Sequence, residues 1–194
     1  MAVAYDIKAI PTVYGARQFR SRLEAKWASF FDLCGWQFEY EPYDLGTWSP
    51  DFLLFGCDKV LVEIKPITSF DEDVAAKMVE AAAASKWDGE LLLLGVAPSF
   101  GMDCGPYDSA SIGWLGEASF VRDGTIRSEW DWTFGRASAC LSGRPEAPDF
   151  SHQWGSYHCR MRGTNFKNAT WPDSPDWLKR LWDKAANRVQ WHKR

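Results

Sequence analysis

Two carboxylates and a lysine interrupt an otherwise apolar stretch between residues 49 and 65. Ser49-Pro50-Asp51-Phe52-Leu53-Leu54-Phe55 is followed, after Gly56-Cys57-Asp58, by Lys59-Val60-Leu61-Val62-Glu63-Ile64-Lys65. Burying a charge is costly unless it is paired or binds a metal, so these three groups ask for a partner. A hard divalent cation answers: Mg²⁺ takes one or two carboxylates and fills its shell with waters and substrate phosphate oxygens. Asp51 and Glu63 supply that pair. Such an ion polarises a phosphate and lowers the pKa of a bound water. Lys65 adds a positive charge beside the attacking water or the negative charge that develops. The chemistry this predicts is metal-dependent phosphodiester hydrolysis. The plain alternative is a surface hairpin carrying an ion pair.

The elements that must position these residues follow from periodicity. Phe19, Leu23, Trp27, Phe30 and Phe31 recur at helical spacing, which predicts a helix from about Ala16 to Leu33, stopped at Gly35. Glu24 lies at the edge of that stripe, one turn from Arg20. It can look into a site, orient a metal-bound water, or simply pair with Arg20. Trp36 to Glu41 alternates aromatic and polar residues and reads as a half-buried strand ended by Pro42. Strands from about Asp51 to Phe55 and Lys59 to Lys65 then form a hairpin. Leu61, Glu63 and Lys65 share one face, and the turn returns the chain so that Asp51 lies near them. Val74 to Lys86, led by Asp71-Glu72-Asp73, predicts a second helix, and Glu90 to Val96 a buried strand. A helix joining two strands over this length is a crossover, so the sheet is mixed.

Pro50-Asp51, eleven further residues and Glu63-Ile64-Lys65, with Glu24 on the preceding helix, resemble the PD-(D/E)xK nuclease superfamily, and small phage and bacterial proteins of this type in particular. The resemblance spans about residues 15 to 97. It implies a restriction-endonuclease-like αβββαβ core within an α/β fold. It also implies Mg²⁺- or Mn²⁺-dependent cleavage of nucleic acid, most readily DNA. Asp51, Glu63 and the Ile64 main-chain carbonyl would be the metal ligands, with Glu24 as a further one, and Lys65 would assist the water. No Gln-x-x-x-Tyr follows the second helix and no four-cysteine set is present, so the RecB-like and Cas4-like branches are not supported. A catalytically inactive nucleic-acid-binding protein on the same fold and an RNA nuclease are the alternatives.

With 194 residues, 46% of them hydrophobic, the chain can bury one core, and it is read as a single domain: the nuclease-like part plus an extension over about 98 to 194. The extension is expected to hold strands over Ser111 to Val121, Glu129 to Phe134 and Trp154 to Arg162, a loop from Leu141 to Ser151, and a helix from Trp177 to Gln190. Net charge is −4, yet the residues from Arg160 onward carry +6 and those before it −10. A basic tail on an acidic body can follow a phosphate backbone. Lys179, Arg180, Lys184 and Arg188, together with Arg20, are therefore the candidate nucleic-acid contacts.

No apolar run reaches membrane-spanning length and the first residues lack the regions of a signal peptide, so the expected location is cytoplasmic, that of the host if the protein is phage-encoded. Cys34, Cys57, Cys104, Cys140 and Cys159 are odd in number and scattered, which speaks against a disulfide framework. Cys140, His152, His158 and Cys159 are soft ligands, but their spacing fits no common zinc pattern; core cysteines and surface histidines are the preferred reading. Among the twelve tryptophans, Trp48, Trp154 and Trp171 are the candidates for stacking on an unpaired base.

Overall fold

The computed structural model describes residues 9–100, 110–119, 131–152 and 158–189. The chain is a mixed α/β protein. A short hairpin, β1 (Thr12–Tyr14) and β2 (Arg17–Phe19), precedes α1 (Arg22–Cys34). Then come β3 (Gln37–Tyr40), β4 (Phe52–Phe55), β5 (Lys59–Ile64), α2 (Glu72–Ala84), β6 (Glu90–Leu94), β7 (Ser99–Phe100), β8 (Ala110–Ser119), β9 (Asp131–Ser142), β10 (Ala147–His152) and α3 (Asp176–Arg188). Apart from the β1–β2 hairpin and β7, which pairs with β8, the strands form one sheet in the order β10-β9-β8-β6-β5-β4-β3. Among the described residues, only β5 and β6, joined through α2, run parallel; the other neighbouring pairs of this sheet are antiparallel.

The sheet separates two cores, and strand alternation sorts residues between them. Phe52, Leu54, Val60, Val62, Ile64, Leu92 and Leu94 face α1 and α3, meeting Trp27, Phe30, Phe31 and Trp182. Leu53, Leu61, Leu91 and Leu93 face α2, meeting Met78, Ala81 and Ala82. Each fully buried Leu or Phe here contributes about 1.5–3 kcal/mol relative to exposure. Trp27, completely buried, donates its indole N–H to the Gly95 carbonyl at 2.9 Å and lies 4.6 Å, centroid to centroid, from Trp182. Thus α3 is held to α1 by aromatic packing, with Leu178 and Ala185 buried beside Trp182.

Four expectations are corrected. Helix α1 begins at Arg22, not near Ala16, because Tyr14-Gly15-Ala16-Arg17 turns a hairpin, with Gly15 at φ 60, and Ser21 caps the helix. Helix α2 ends at Ala84 rather than Lys86, since Lys86 adopts φ 55 and the Trp87 N–H bonds back to the Ala82 carbonyl at 2.9 Å. The span expected to be a loop from Leu141 to Ser151 contains the end of β9 and strand β10. Its Pro148 and Asp149 are poor strand formers, but β10 lies at the sheet edge, where a missing donor is tolerated. Finally, β9 runs from Asp131 to Ser142, beyond the expected stop at Phe134. Of the strand expected over Trp154 to Arg162, residues 153–157 lie outside the described residues, and 158–162 form a bridge and turns. No helix among the described residues is long and apolar enough to cross a membrane.

Candidate active site

The β4–β5 register ends with Phe52 opposite Val62. The Asp51 N–H also bonds the Val62 carbonyl, at 2.9 Å, so Asp51 leaves the regular register in a bulge beside Val62, with Glu63 the next residue along β5. Both carboxylates are buried, Asp51 3% and Glu63 5% exposed. Asp51 Oδ2 accepts from the Ile64 N–H at 2.7 Å, and Oδ1 pairs with the Arg20 guanidinium. Glu63 Oε2 accepts from the Trp48 indole N–H at 2.8 Å, and Oε1 pairs with the Lys65 ammonium. The convergence expected of Asp51, Glu63 and Lys65 is therefore present.

Glu24, 7% exposed, stands at the third position of α1 and serves its N-terminus. Ser21 Oγ accepts from the Glu24 N–H at 3.1 Å and donates to Glu24 Oε1 at 2.8 Å. Glu24 Oε2 takes the Tyr40 hydroxyl at 2.6 Å and the Arg20 N–H at 3.2 Å. This is a capping box displaced by one residue. The simple Arg20–Glu24 ion pair is long, 3.9 Å. Arg20 instead points its guanidinium at Asp51 and at Glu41, the latter at 2.9 Å. Glu41 has φ 49, and its N–H bonds the Asp51 carbonyl at 2.9 Å.

Tyr40, Glu41 and Trp48 are site residues the sequence reading missed. Alternation along β3 offered a signal for Tyr40, whose ring packs on Phe19 and Phe52 at centroid distances of 4.7 and 5.2 Å. Trp48, a candidate for base stacking on sequence alone, is buried and bound to Glu63. Trp171 is half-buried, and Trp154 lies outside the described residues.

Four carboxylates, Glu24, Glu41, Asp51 and Glu63, face two cations, Arg20 and Lys65. With all of them ionised, that is a local excess of two negative charges. Burial, then the Glu63 charge, push the Asp51 carboxyl up to about 7; the Ile64 N–H pulls the other way. The native state thus keeps this proton to higher pH than the unfolded chain does. Asp51 therefore makes metal-free protein lose stability as pH rises from about 4 to about 7, by an amount on the order of 4 kcal/mol. Glu90 and Asp149, whose pKa values burial also raises, act in the same sense; His152, lowered by burial, acts in the opposite one. Urea midpoints measured across this range should fall, and a midpoint that climbs steadily would contradict the assignment. Burial, followed by the bond to Glu24, pushes the Tyr40 hydroxyl up to about 12, so it remains a donor.

Among the described residues the ligand atoms of Glu24, Asp51 and Glu63 do not close within 4.8 Å of one another, whereas those of Cys57, Asp58 and His158 do. The zinc set considered from sequence is not assembled. Cys140 and Cys159 are buried with their sulfurs 3.2 Å apart, while His158 turns away to Asp58. His152 is buried, contrary to its reading as a surface histidine. Arg160, counted in the basic tail, is fully buried among Glu90, Glu117 and Asp58. Lys179, Arg180, Lys184 and Arg188 are all exposed on α3. No protein-family model, no curated protein and no solved structure matches the chain.

Proposed function

We propose that the protein is a metal-dependent nuclease that hydrolyses phosphodiester bonds of nucleic acid, with DNA as the first substrate to test. One observation carries the reading: two buried carboxylates, Asp51 just before β4 and Glu63 on β5, are brought together, with Lys65 paired to Glu63. The order of α1, the β3–β5 meander, the α2 crossover and parallel β6 supports reading the fold as restriction-endonuclease-like.

The residues fit Mg²⁺ or Mn²⁺: the donors are hard oxygens and the local charge is negative by two. Asp51 and Glu63 would hold the ion, with the Ile64 main-chain carbonyl as a third donor. A bound ion would supply phosphate polarisation and a more acidic water. The chain's own groups do the rest. Lys65, with its side chain 42% exposed, can leave Glu63 and place its charge against the attacked phosphate. Arg20, 54% exposed, gives up Asp51 to an incoming cation and is then free to hold a phosphate oxygen. Glu24 keeps the start of α1 and Tyr40 in place, a positioning role.

The test is incubation of the protein with linear, circular and single-stranded DNA, and with RNA, with and without Mg²⁺ or Mn²⁺, beside Lys65→Ala. Cleavage by wild type that needs metal and Lys65 supports the reading; no cleavage of any substrate ends it. RNA-only cleavage would reassign the substrate. A binding protein without catalysis is the second reading, favoured by the fact that Arg20 and Lys65 already occupy both carboxylates. It predicts nucleic-acid retention without cutting.

Arg180, Lys184 and Arg188 recur every four residues along α3 and so form one exposed stripe, with Lys179 beside it. Replacing all four by glutamine should weaken DNA binding and reduce the slope of log affinity against log salt by up to about 0.9 per lost phosphate contact. An unchanged slope would leave α3 a solvated face.

A further inference from the structure

We infer that Cys57, Asp58 and His158 form a second metal site, selective for a borderline transition-metal dication such as Zn²⁺, that fastens the segment 158–163 to the tip of the β4–β5 hairpin. Cys57 and Asp58 belong to the turn between those strands. Their N–H groups bond the Met161 and Arg160 carbonyls, both at 3.2 Å, so the backbone of the distant segment is already laid against the turn. The fit leaves no slack. A Cβ on Gly56 would lie 2.5 Å from the Arg160 carbonyl oxygen, and one on Gly163, which has φ 66, would lie 2.9 Å from Cys57 Sγ.

Into this junction three ligand types converge: a sulfur, a carboxylate oxygen and an imidazole nitrogen, all within 4.8 Å of one another. His158 Nε2 and Asp58 Oδ2 are 2.6 Å apart and share a proton. Around a tetrahedral Zn²⁺, with Zn–N and Zn–O near 2.0 Å and Zn–S near 2.3 Å, ligand atoms stand roughly 3.2–3.6 Å apart. Loading the ion therefore displaces both the proton between His158 Nε2 and Asp58 Oδ2 and the Cys57 thiol proton, opens the His158–Asp58 contact by roughly 0.7 Å, and draws the sulfur inward. The thiolate and imidazole favour zinc over the magnesium-type ions that suit Asp51 and Glu63. Cys57 is exposed and its two partners are half-buried, so an ion can enter and water can fill the fourth position.

Electrostatics favours a cation despite Arg160, whose Nε lies 4.0 Å from Asp58. Asp58, Glu90 and Glu117 surround that single guanidinium, which leaves the cluster negative while His158 is neutral. A dication offsets the excess.

The experiment is titration of chelator-treated full-length protein with Co²⁺, read by thiolate-to-cobalt charge-transfer absorption, followed by displacement with Zn²⁺. Wild type should show the band saturating at one equivalent and vanishing as zinc is added. Cys57→Ser should abolish it, and His158→Gln should weaken binding about tenfold or more. Asp51→Asn should leave it intact, which separates this site from the carboxylate pair. Absence of the band in wild type, or its survival in Cys57→Ser, would overturn the assignment and leave His158–Asp58 a hydrogen-bonded pair.

Discussion

Asp51→Asn is expected to yield a more stable protein that no longer cleaves nucleic acid. The aspartate is nearly sealed from water, feels the Glu63 charge, and has its carboxyl pushed up to about 7. Ionising it above that pH therefore costs the native state free energy, and an amide of the same shape removes the cost. The Ile64 N–H can keep an oxygen acceptor, while Arg20 loses its partner but is half-exposed and returns to water and Glu41. The net gain at pH 8 should be roughly 1–3 kcal/mol, smaller than the full shift because the Arg20 contact is lost. The same substitution takes away one of the two anionic donors, so metal-dependent cleavage should fall at least about 10²–10³-fold, the scale of losing one preorganised electrostatic partner. Urea denaturation with and without Mg²⁺, beside a cleavage assay, reads both effects. A destabilised variant, or one that cuts like wild type, would sink the proposal. The stability gain of Asp51→Asn should also shrink progressively as pH falls from about 7 to about 4, as the native aspartate takes up its proton.

Arg160→Met is expected to produce the largest loss of stability of any single replacement considered. The guanidinium is completely buried; its Nε contacts Glu90 at 2.8 and 2.9 Å, and it also pairs with Glu117 and stands near Asp58. Deleting it leaves carboxylates without their counter-ion in a poorly solvated place, which costs about 3–5 kcal/mol. The pair itself need not be strongly stabilising, because desolvating both partners offsets much of their attraction. Arg160→Met combined with Glu90→Gln and Glu117→Gln should therefore recover most of the loss. Denaturant midpoints for the single and triple variants decide it. A single variant within about 1 kcal/mol of wild type would show the cluster to be inconsequential.

The half of the chain up to Leu94 was legible because its cores follow simple periods. The two-residue alternation of Val60 to Ile64 assigned each side chain to the correct face, and that same alternation located Glu63 and Lys65. The start of α1 was missed because Phe19 shares the helical spacing of Leu23 and Trp27 although it belongs to a hairpin strand. Ser21, followed three residues later by Glu24, was the available boundary signal. Strand β10 was illegible for a different reason: Ala147-Pro148-Asp149 are all poor strand formers, and long-range pairing with β9 imposes its form. Tertiary placement likewise decided the charges. Nothing in the local sequence distinguishes buried Arg160 from exposed Arg162, and nothing near Arg20 announces Asp51, thirty-one residues away.

Trp182 closing over Trp27 and Phe30 also bears on how the protein is made. The carboxylate-bearing hairpin is complete by Lys65, yet α3, which packs on the aromatic face of α1, is synthesised about a hundred residues later. At ribosomal speeds of ~5–20 residues per second, the nascent chain carries an uncovered aromatic surface for roughly 5–20 s. Stalled chains ending before Trp182 should bind an apolar fluorescent dye and full-length chains should not; equal binding would show that α1 is covered some other way. The late arrival of α3 makes its synthesis a timing device: the aromatic face of α1 stays within reach of chaperones until α3 has left the ribosome.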